Sequence, residues 1–150
     1  MDFRKALAGT FLFMASIAPA YGAIFDTQWA LQNTGQHNCN FRGQRCTDGI
    51  PGRDIKYKLV TRKFGDCSRV TVAVLDSGID LRHPDLAANL LSGKNFVGGQ
   101  VSDDPQDDNL HGTHVAGIIA GAGTETSGVV GVCRRARILP VKVGDSQGYL

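Results

Sequence analysis

Residues 70–78 read Val-Thr-Val-Ala-Val-Leu-Asp-Ser-Gly, an apolar and β-branched run that ends in an acidic turn. Such a run is typical of a strand that is buried on both faces of a parallel sheet. In open α/β sheets, functional groups lie at the carboxyl ends of the strands. The run therefore predicts an α/β fold and places Asp76 where a functional side chain is expected.

The sequence downstream continues this α/β order. Residues 95–97, Asn-Phe-Val, and residues 138–143, Ile-Leu-Pro-Val-Lys-Val, are each followed by glycine and are predicted to be strands. Pro140 favours an edge strand or a bulge for the last of them, because proline has no N–H to give to the ladder. Residues 111–121 carry apolar side chains at helical spacing, and their glycines would let a helix lie close to the sheet.

The composition is that of an ordinary globular protein, with 42% hydrophobic and 20% charged residues in a chain of 150. The formal net charge is +2, and no basic block or acidic tail is present, which argues against binding to nucleic acid or to a membrane surface. We divide the chain into a signal peptide at 1–20, an irregular N-terminal arm at 21–69 that wraps the core, and an incomplete α/β domain at 70–150.

The first 20 residues have the pattern of a secretory signal peptide. Arg4 and Lys5 precede an apolar stretch of 12 residues, 6–17, and Ala18-Pro19-Ala20 fits the small-residue cleavage pattern. We predict cleavage after Ala20, with cleavage after Gly22 as the alternative. A membrane anchor is disfavoured because a span needs about 20 apolar residues. The protein is therefore predicted to be secreted or periplasmic, with no membrane attachment after cleavage.

Four cysteines follow the signal peptide, and export from the reducing cytosol permits them to form disulfides. The three possible pairings involve Cys39, Cys46, Cys67 and Cys133. A bond between Cys39 and Cys46 suits a stapled surface loop and would leave Cys67 with Cys133, while free thiols are the alternative. No spacing matches a zinc ribbon, and no Cys-x-x-Cys occurs.

Asp76 and His111 are the candidate catalytic residues. A carboxylate that follows an apolar strand is poorly hydrated and needs a hydrogen-bond donor, for which an imidazole is suited. The positive end of the helix dipole disfavours a charged imidazole at His111, so a neutral ring that acts as a base is expected. If Asp76 accepts the Nδ1 hydrogen, Nε2 is left free to take a proton from a serine hydroxyl.

The sequence resembles the subtilase family of serine peptidases. The likeness is carried by residues 76–80, Asp-Ser-Gly-Ile-Asp, by 83–86, His-Pro-Asp-Leu, and by 111–117, His-Gly-Thr-His-Val-Ala-Gly. Residues 29–36 are similar to the start of the mature catalytic domain in many bacterial subtilases, and residues 131–143 resemble the run into the next core strand. Two motifs in the family's order, aspartate before histidine, make this resemblance specific.

The resemblance implies a subtilisin-like three-layer fold with a parallel sheet, truncated here after about three core strands. It implies a serine endopeptidase that acts on polypeptide substrates without a cofactor for the chemistry. Asp76 would orient His111, and His111 would be the general base for a serine nucleophile.

The sequence also departs from the family pattern. Subtilases need a serine in a Gly-Thr-Ser-Met-Ala-like segment and an oxyanion-hole asparagine, and neither is found up to Leu150. We therefore expect an N-terminal part of a catalytic domain that is inactive as given. The alternative is a secreted binding or decoy protein built on half of a subtilase domain, although such a scaffold would not need both Asp76 and His111.

Metal binding is a further expectation from the resemblance. Many subtilases hold a structural calcium ion with an aspartate placed as Asp85 is, together with the loop that follows the helix, here 125–129. His114 lies three residues after His111, but the zinc-peptidase helix motif is absent, so a structural role is expected for it. The four acidic residues before the helix match no EF-hand loop and are expected to be solvated, namely Asp103, Asp104, Asp107 and Asp108.

Overall fold

The computed structural model describes residues 28–39, 45–64, 67–124 and 127–148. The predicted signal peptide and both of its proposed cleavage positions lie outside these residues. The elements in chain order are β1 (His37–Cys39), β2 (Cys46–Asp48), α1 (Tyr57–Phe64), β3 (Thr71–Asp76), β4 (Lys94–Asn95), α2 (His111–Ala120) and β5 (Arg137–Lys142). Short 3-10 turns occupy Ala87–Asn89 and Val97–Gly99.

The core of the fold is a parallel three-stranded sheet in the order β3-β5-β4. β3 and β5 pair along their full length, from Thr71 opposite Arg137 to Asp76 opposite Lys142. β4 adds two residues on the other side of β5. This arrangement is the α/β fold that the sequence predicts, and it brings the carboxyl ends of β3 and β5 to one edge.

β3 is buried on one face rather than on two. Val74 is buried and Val72 is half-buried, whereas Thr71, Ala73 and Leu75 alternate with them and are exposed, Leu75 to 63%. The prediction of burial on both faces is therefore wrong for the residues that the structure describes. Ala73 and Leu75 are apolar, as expected for a buried face of the sheet, but no described segment packs against that face.

β5 is the central strand of the sheet, although Pro140 favoured an edge or a bulge. Alternate residues of a parallel strand bond to the same neighbour, and the carbonyls of Ile138 and Lys142 accept from the N–H groups of Leu91 and Phe96 on the β4 side. Pro140 thus faces that side too, where the ladder is interrupted before β4 begins at Lys94. The missing N–H costs β5 no bond to β3, and the ring is fully buried.

The helix α2 packs on β3 and β5 and forms one hydrophobic core with them. The buried side chains of this core are Val74, Ile79, Leu86, Ala116, Ala120, Ala136 and Ile138. Small alanines on the inner face of α2 let the helix lie close to the strands, as its sequence predicts.

The N-terminal arm is more regular than the sequence predicts. It contains the antiparallel hairpin β1-β2 and the helix α1, both of which we expected to be irregular. A second apolar cluster of Leu31, Tyr57 and Val130 attaches the arm to the loop after α2. Tyr57 is the first residue of α1, so this contact holds the start of the helix against the loop after α2.

Two disulfides join the cysteines in the pairing that the short loop suggested. Cys39 and Cys46 close the β1-β2 hairpin. Cys67 and Cys133 connect the end of the arm to the segment before β5, and Cys133 packs against the main core. The first bond therefore cross-links two strands within the arm, and the second attaches the arm to the α/β domain.

Candidate active site

The structure brings Asp76 and His111 together at the edge of the sheet. Asp76 is the last residue of β3, and His111 is the first residue of α2. Nδ1 of His111 lies 2.8 Å from Oδ1 of Asp76 and 3.0 Å from its Oδ2. The side chain of Asp76 is 17% exposed and that of His111 is 68% exposed, so the carboxylate is recessed and the imidazole faces outward.

The surroundings of Asp76 keep its carboxyl ionised. Burial by itself raises the pKa, but hydrogen bonds from His111 and from the backbone N–H of Ser77, together with the charge of the imidazole, lower the pKa below its ordinary value. An ionised carboxylate only accepts hydrogen bonds. Nδ1 of His111 is therefore the donor. In this tautomer Nε2 carries no hydrogen, so it can act as an acceptor.

Gly112 allows α2 to begin so close to β3. A Cβ atom at this position would lie 2.1 Å from the carbonyl oxygen of Gly78 and 3.0 Å from Cβ of Asp76. Gly112 N–H donates to the hydroxyl of Ser77 at 3.0 Å, which fixes the first turn of the helix against the end of the strand. The distance between Asp76 and His111 thus depends on the absence of a side chain at residue 112.

Asp107 anchors the start of α2, a role that the sequence analysis missed. Its carboxylate accepts from the backbone N–H groups of Asn109, Leu110 and Thr113, each at 3.0 Å. It also accepts from the hydroxyls of Ser77, at 2.8 Å, and Thr113. Burial raises its pKa, but these hydrogen bonds outweigh that effect and lower the pKa to about 2.

The expectation that all four acidic residues of this loop are solvated is therefore wrong for Asp107. A capping aspartate is expected directly before a helix, whereas Asp107 lies four residues ahead of His111 and Leu110 holds the N-cap position, so the sequence pattern did not indicate this role. Asp103 and Asp104 are exposed, as expected.

Lys142 connects the segments that surround the site, a role that the sequence analysis also missed. This residue ends β5 and is only 4% exposed. Its Nζ donates to the carbonyls of Ser77 and Gly144, at 2.5 and 3.0 Å, and pairs with Asp108 at 2.6 Å. One buried cation therefore links the turns after β3 and β5 with the loop that precedes α2.

A cavity of 410 Å³ opens beside the Asp76–His111 pair. Its wall continues through Asn109, Gly144, Gln147 and Gly148, and Asn109 Nδ2 donates to the carbonyl of Ser146 at 3.1 Å. The loops before α2 and after β5 are thus joined around the space in front of the imidazole, where a reacting group could enter.

The other candidate residues do not reach this pair. His83, Asp85 and His114 line a separate cavity of 810 Å³ on the outer side of α2. Asp85 Oδ2 accepts from the N–H of Val129 at 2.8 Å, and a Cβ atom at Gly128 would lie 2.3 Å from this carboxylate. Asp85 therefore faces the loop that the calcium prediction named, whose residues 125–126 are outside the described part, and calcium binding stays a prediction.

Comparison with known proteins relates the chain to one family of peptidases. Residues 68–150 match the Subtilase family. The chain is 37% identical over 128 residues to the cell wall-associated protease of Bacillus subtilis (strain 168), an alignment that covers 81% of this chain and 13% of the relative. It is 39% identical over 122 residues to the extracellular serine protease of Aeromonas sobria, which covers 80% of this chain and 19% of that protein.

A solved structure agrees with the sequence comparisons. The crystal structure of the Aeromonas sobria serine protease with the chaperone ORF2 has a TM-score of 0.67 and 35% identity to this chain, and the match covers 84% of this chain and 21% of that one. The parallel sheet, with Asp76 at the end of β3 and His111 facing it from the start of α2, agrees with the class of serine peptidases that these comparisons name. The chain belongs to the subtilase family, and its matches span between 13% and 28% of the length of relatives in that family.

Proposed function

We propose that this chain supplies the aspartate and the histidine of the catalytic triad of a secreted serine endopeptidase. The observation that carries the proposal is the contact of 2.8 Å between Nδ1 of His111 and the carboxylate of Asp76. In this role Asp76 fixes the tautomer of His111 and stabilises its charged form, and His111 takes the proton of an attacking serine hydroxyl. The serine belongs to a part of the family's domain that residues 1–150 do not include.

The setting of the pair supports this assignment. Asp76 is held by the N–H of Ser77 at 2.7 Å and keeps a lowered pKa, so it accepts a hydrogen bond at neutral pH. His111 stands at the N-terminus of α2, and because its Nδ1 donates to Asp76, Nε2 is the ring nitrogen left for a general base to use. Its exposure toward the 410 Å³ cavity leaves Nε2 accessible to a nucleophile and a peptide.

The tautomer of His111 tests the proposal in the chain itself. Nitrogen-15 NMR of the neutral imidazole, recorded at alkaline pH, is expected to show a protonated Nδ1 and an unprotonated Nε2. Asp76→Asn should shift this ring toward a mixture of tautomers, because an amide can also donate, whereas Asp103→Asn at an exposed surface position should not. A neutral His111 that carries its proton on Nε2 would contradict the proposal.

A chimeric enzyme tests the catalytic role. Subtilisin E of Bacillus subtilis is 51% identical to this chain over 81 residues, so the matching segment can be exchanged into that protease. The chimera is expected to hydrolyse casein. Asp76→Asn should lower kcat by about ten-thousand-fold and His111→Ala by about a million-fold, as triad losses do in this family. Asp103→Asn is the control, and a folded chimera that is indifferent to His111→Ala would refute the assignment.

Export is the second part of the proposal. Within the described residues, no helix is long and apolar enough to span a membrane. The curated relatives include an extracellular and a cell wall-associated protease, and residues 1–20 here have the signal-peptide pattern. The intact mass of the exported chain should correspond to cleavage after Ala20, and Ala20→Tyr should block that cut. An exported chain that retains Met1 would refute signal cleavage.

A further inference from the structure

Lys142 is a buried cation that no step of the proposed reaction uses. It is the last residue of β5 and lies opposite Asp76 in the register of the sheet. Its side chain is 5% exposed. A buried ammonium group is costly unless hydrogen bonds and an opposite charge compensate for the water it has lost. The contacts that compensate for this loss therefore indicate what the charge does.

The ammonium group of Lys142 spends its hydrogen bonds on three different segments of the chain. Nζ has three hydrogens to donate and no acceptor. It donates to the carbonyl of Ser77 at 2.5 Å, to the carboxylate of Asp108 at 2.6 Å and to the carbonyl of Gly144 at 3.0 Å. One atom thus joins the turn after β3, the loop before α2 and the turn after β5, and all of its donors are used.

Two of these contacts hold the segments that carry the candidate catalytic pair. Ser77 follows Asp76 directly and donates its N–H to Oδ1 of that residue at 2.7 Å. Asp108 lies three residues ahead of His111, in the loop that leads into α2. An ammonium group bound to both Ser77 and Asp108 therefore fixes the segment of the carboxylate relative to the segment of the imidazole.

The backbone of the sheet does not fix this separation. The N–H groups of Val143 and Gly144 donate to the carbonyl of Asp76, at 2.8 and 3.1 Å, which joins β3 to the turn after β5. These bonds do not reach the loop before α2. Lys142 contacts all three segments at once, so it couples the start of the helix to the sheet.

We propose that Lys142 is a positioning residue for proton transfer to His111. It keeps Asp76 and His111 at the separation at which the carboxylate accepts the Nδ1 hydrogen, and it acts through Ser77 and Asp108 rather than on a substrate. The inference rests on the proposed function and deepens it. Loss of the ammonium group would leave the two segments free to separate, and a displacement of about 1 Å can cost a hundredfold in rate.

Kinetics of the chimera with subtilisin E test this role, with residue 142 inside the exchanged segment. Lys142→Met removes the ammonium group from a side chain of similar length and should lower kcat by about tenfold to a hundredfold, with a smaller change in KM. Lys142→Gln retains two donors and should lower kcat by about threefold or more. Lys94→Met is the matched control, because Lys94 pairs with Asp103 at the exposed surface, and it should leave both constants unchanged.

The Nδ1–H proton of His111 reports the same geometry in the chain itself. In the folded Lys142 variants this proton should exchange with water faster than in the wild type, whereas in Lys94→Met it should exchange at the wild-type rate. A lysine that only stabilised the fold would lower the urea midpoint and leave both this rate and kcat unchanged.

The outcomes separate this inference from the proposed function. A folded Lys142→Met chimera with the kcat of Lys94→Met would overturn the inference and leave the proposed function intact, and so would an unchanged Nδ1–H exchange rate. If Lys142→Met does not fold, the same comparisons with Lys142→Gln decide. A parent chimera whose activity does not depend on His111 would overturn the proposed function and this inference with it.

Discussion

Leu110, directly before His111, has a left-handed backbone conformation, with φ 79° and ψ −13°. This conformation costs an ordinary L-residue about 1–2 kcal/mol, and the side chain of Leu110 is 74% exposed, so little packing offsets the cost. The hydrogen bond from Leu110 N–H to Asp107 holds the residue in place. Strain of this kind is found where a fold must aim a functional side chain, which here is the imidazole.

Leu110→Asn is expected to stabilise the protein by about 0.5–1 kcal/mol, because asparagine adopts the left-handed region more readily than leucine. Urea unfolding measures the change. Leu110→Ala is the matched control, since alanine also removes the exposed apolar side chain but lacks the polar group whose local hydrogen bonds help asparagine adopt the left-handed region. If both variants gain equally, exposed apolar surface is the cause and not the backbone.

At this residue scale, the sequence predicted that Asp76 and His111 would meet, and the structure places them 2.8 Å apart. Each lies in a local motif that needs no knowledge of the fold. Asp107 and Lys142 escaped because their roles depend on groups that only the fold brings near. Lys142 resembles any polar residue at a strand end until the turns after β3 and β5 close around it. Local sequence patterns therefore indicate the candidate catalytic residues, whereas long-range contacts determine which other charged residues hold them in position.

Among the elements, the three parallel strands and α2 were predicted to within about two residues, because apolar runs bounded by glycine mark them clearly. The helix α1 was not predicted. Its sequence, Tyr-Lys-Leu-Val-Thr-Arg-Lys-Phe, is only eight residues long. Leu59 and Val60 are exposed, and its burial rests on the contact of Tyr57 with Leu31 and Val130. Tertiary contacts thus override weak local preference in the arm.

The glycines of α2 differ in a way that the sequence could not reveal. Gly112→Ala should destabilise the protein by about 1–3 kcal/mol, because the added Cβ would overlap the carbonyl of Gly78 and push the helix from Asp76. Gly117→Ala should instead gain up to about 1 kcal/mol of helix propensity, since its Cβ would meet only Val129 at 3.8 Å. Urea midpoints measure both changes.

The two glycine variants also separate stability from geometry. In Gly112→Ala the Nδ1–H signal of His111 should weaken as the pair separates, while in Gly117→Ala it should persist. Equal loss of stability in both variants would show that the close approach of α2 to β3 is not specific to residue 112.

For the whole molecule, the connection between the arm and the α/β domain relies on few groups. Gln28 exchanges two hydrogen bonds with the backbone of Val130, the Leu31 cluster lies beside them, and the Cys67–Cys133 bond closes the far end. The sequence predicted an arm that wraps the core and suggested the Cys67–Cys133 bond, but it could not identify the contacts of Gln28 and Leu31 with Val130, which lies about a hundred positions away. The stability of the folded chain also depends on pH, through the acidic side chains around α2.

Acid should destabilise the whole chain through Asp107. Its folded pKa is about 2, below the ordinary 3.8, so its ionised form is favoured by folding. Such a group contributes stability that is fully present above the unfolded pKa and is lost as the pH falls through the folded pKa. We expect a loss of at most about 2 kcal/mol between about pH 4 and pH 2, after allowance for solvent screening. Urea unfolding across this pH range measures the loss of stability. Asp107→Asn should be less stable than the wild type at neutral pH, and its stability should fall less steeply in acid. A fall as steep as that of the wild type would contradict this role of Asp107.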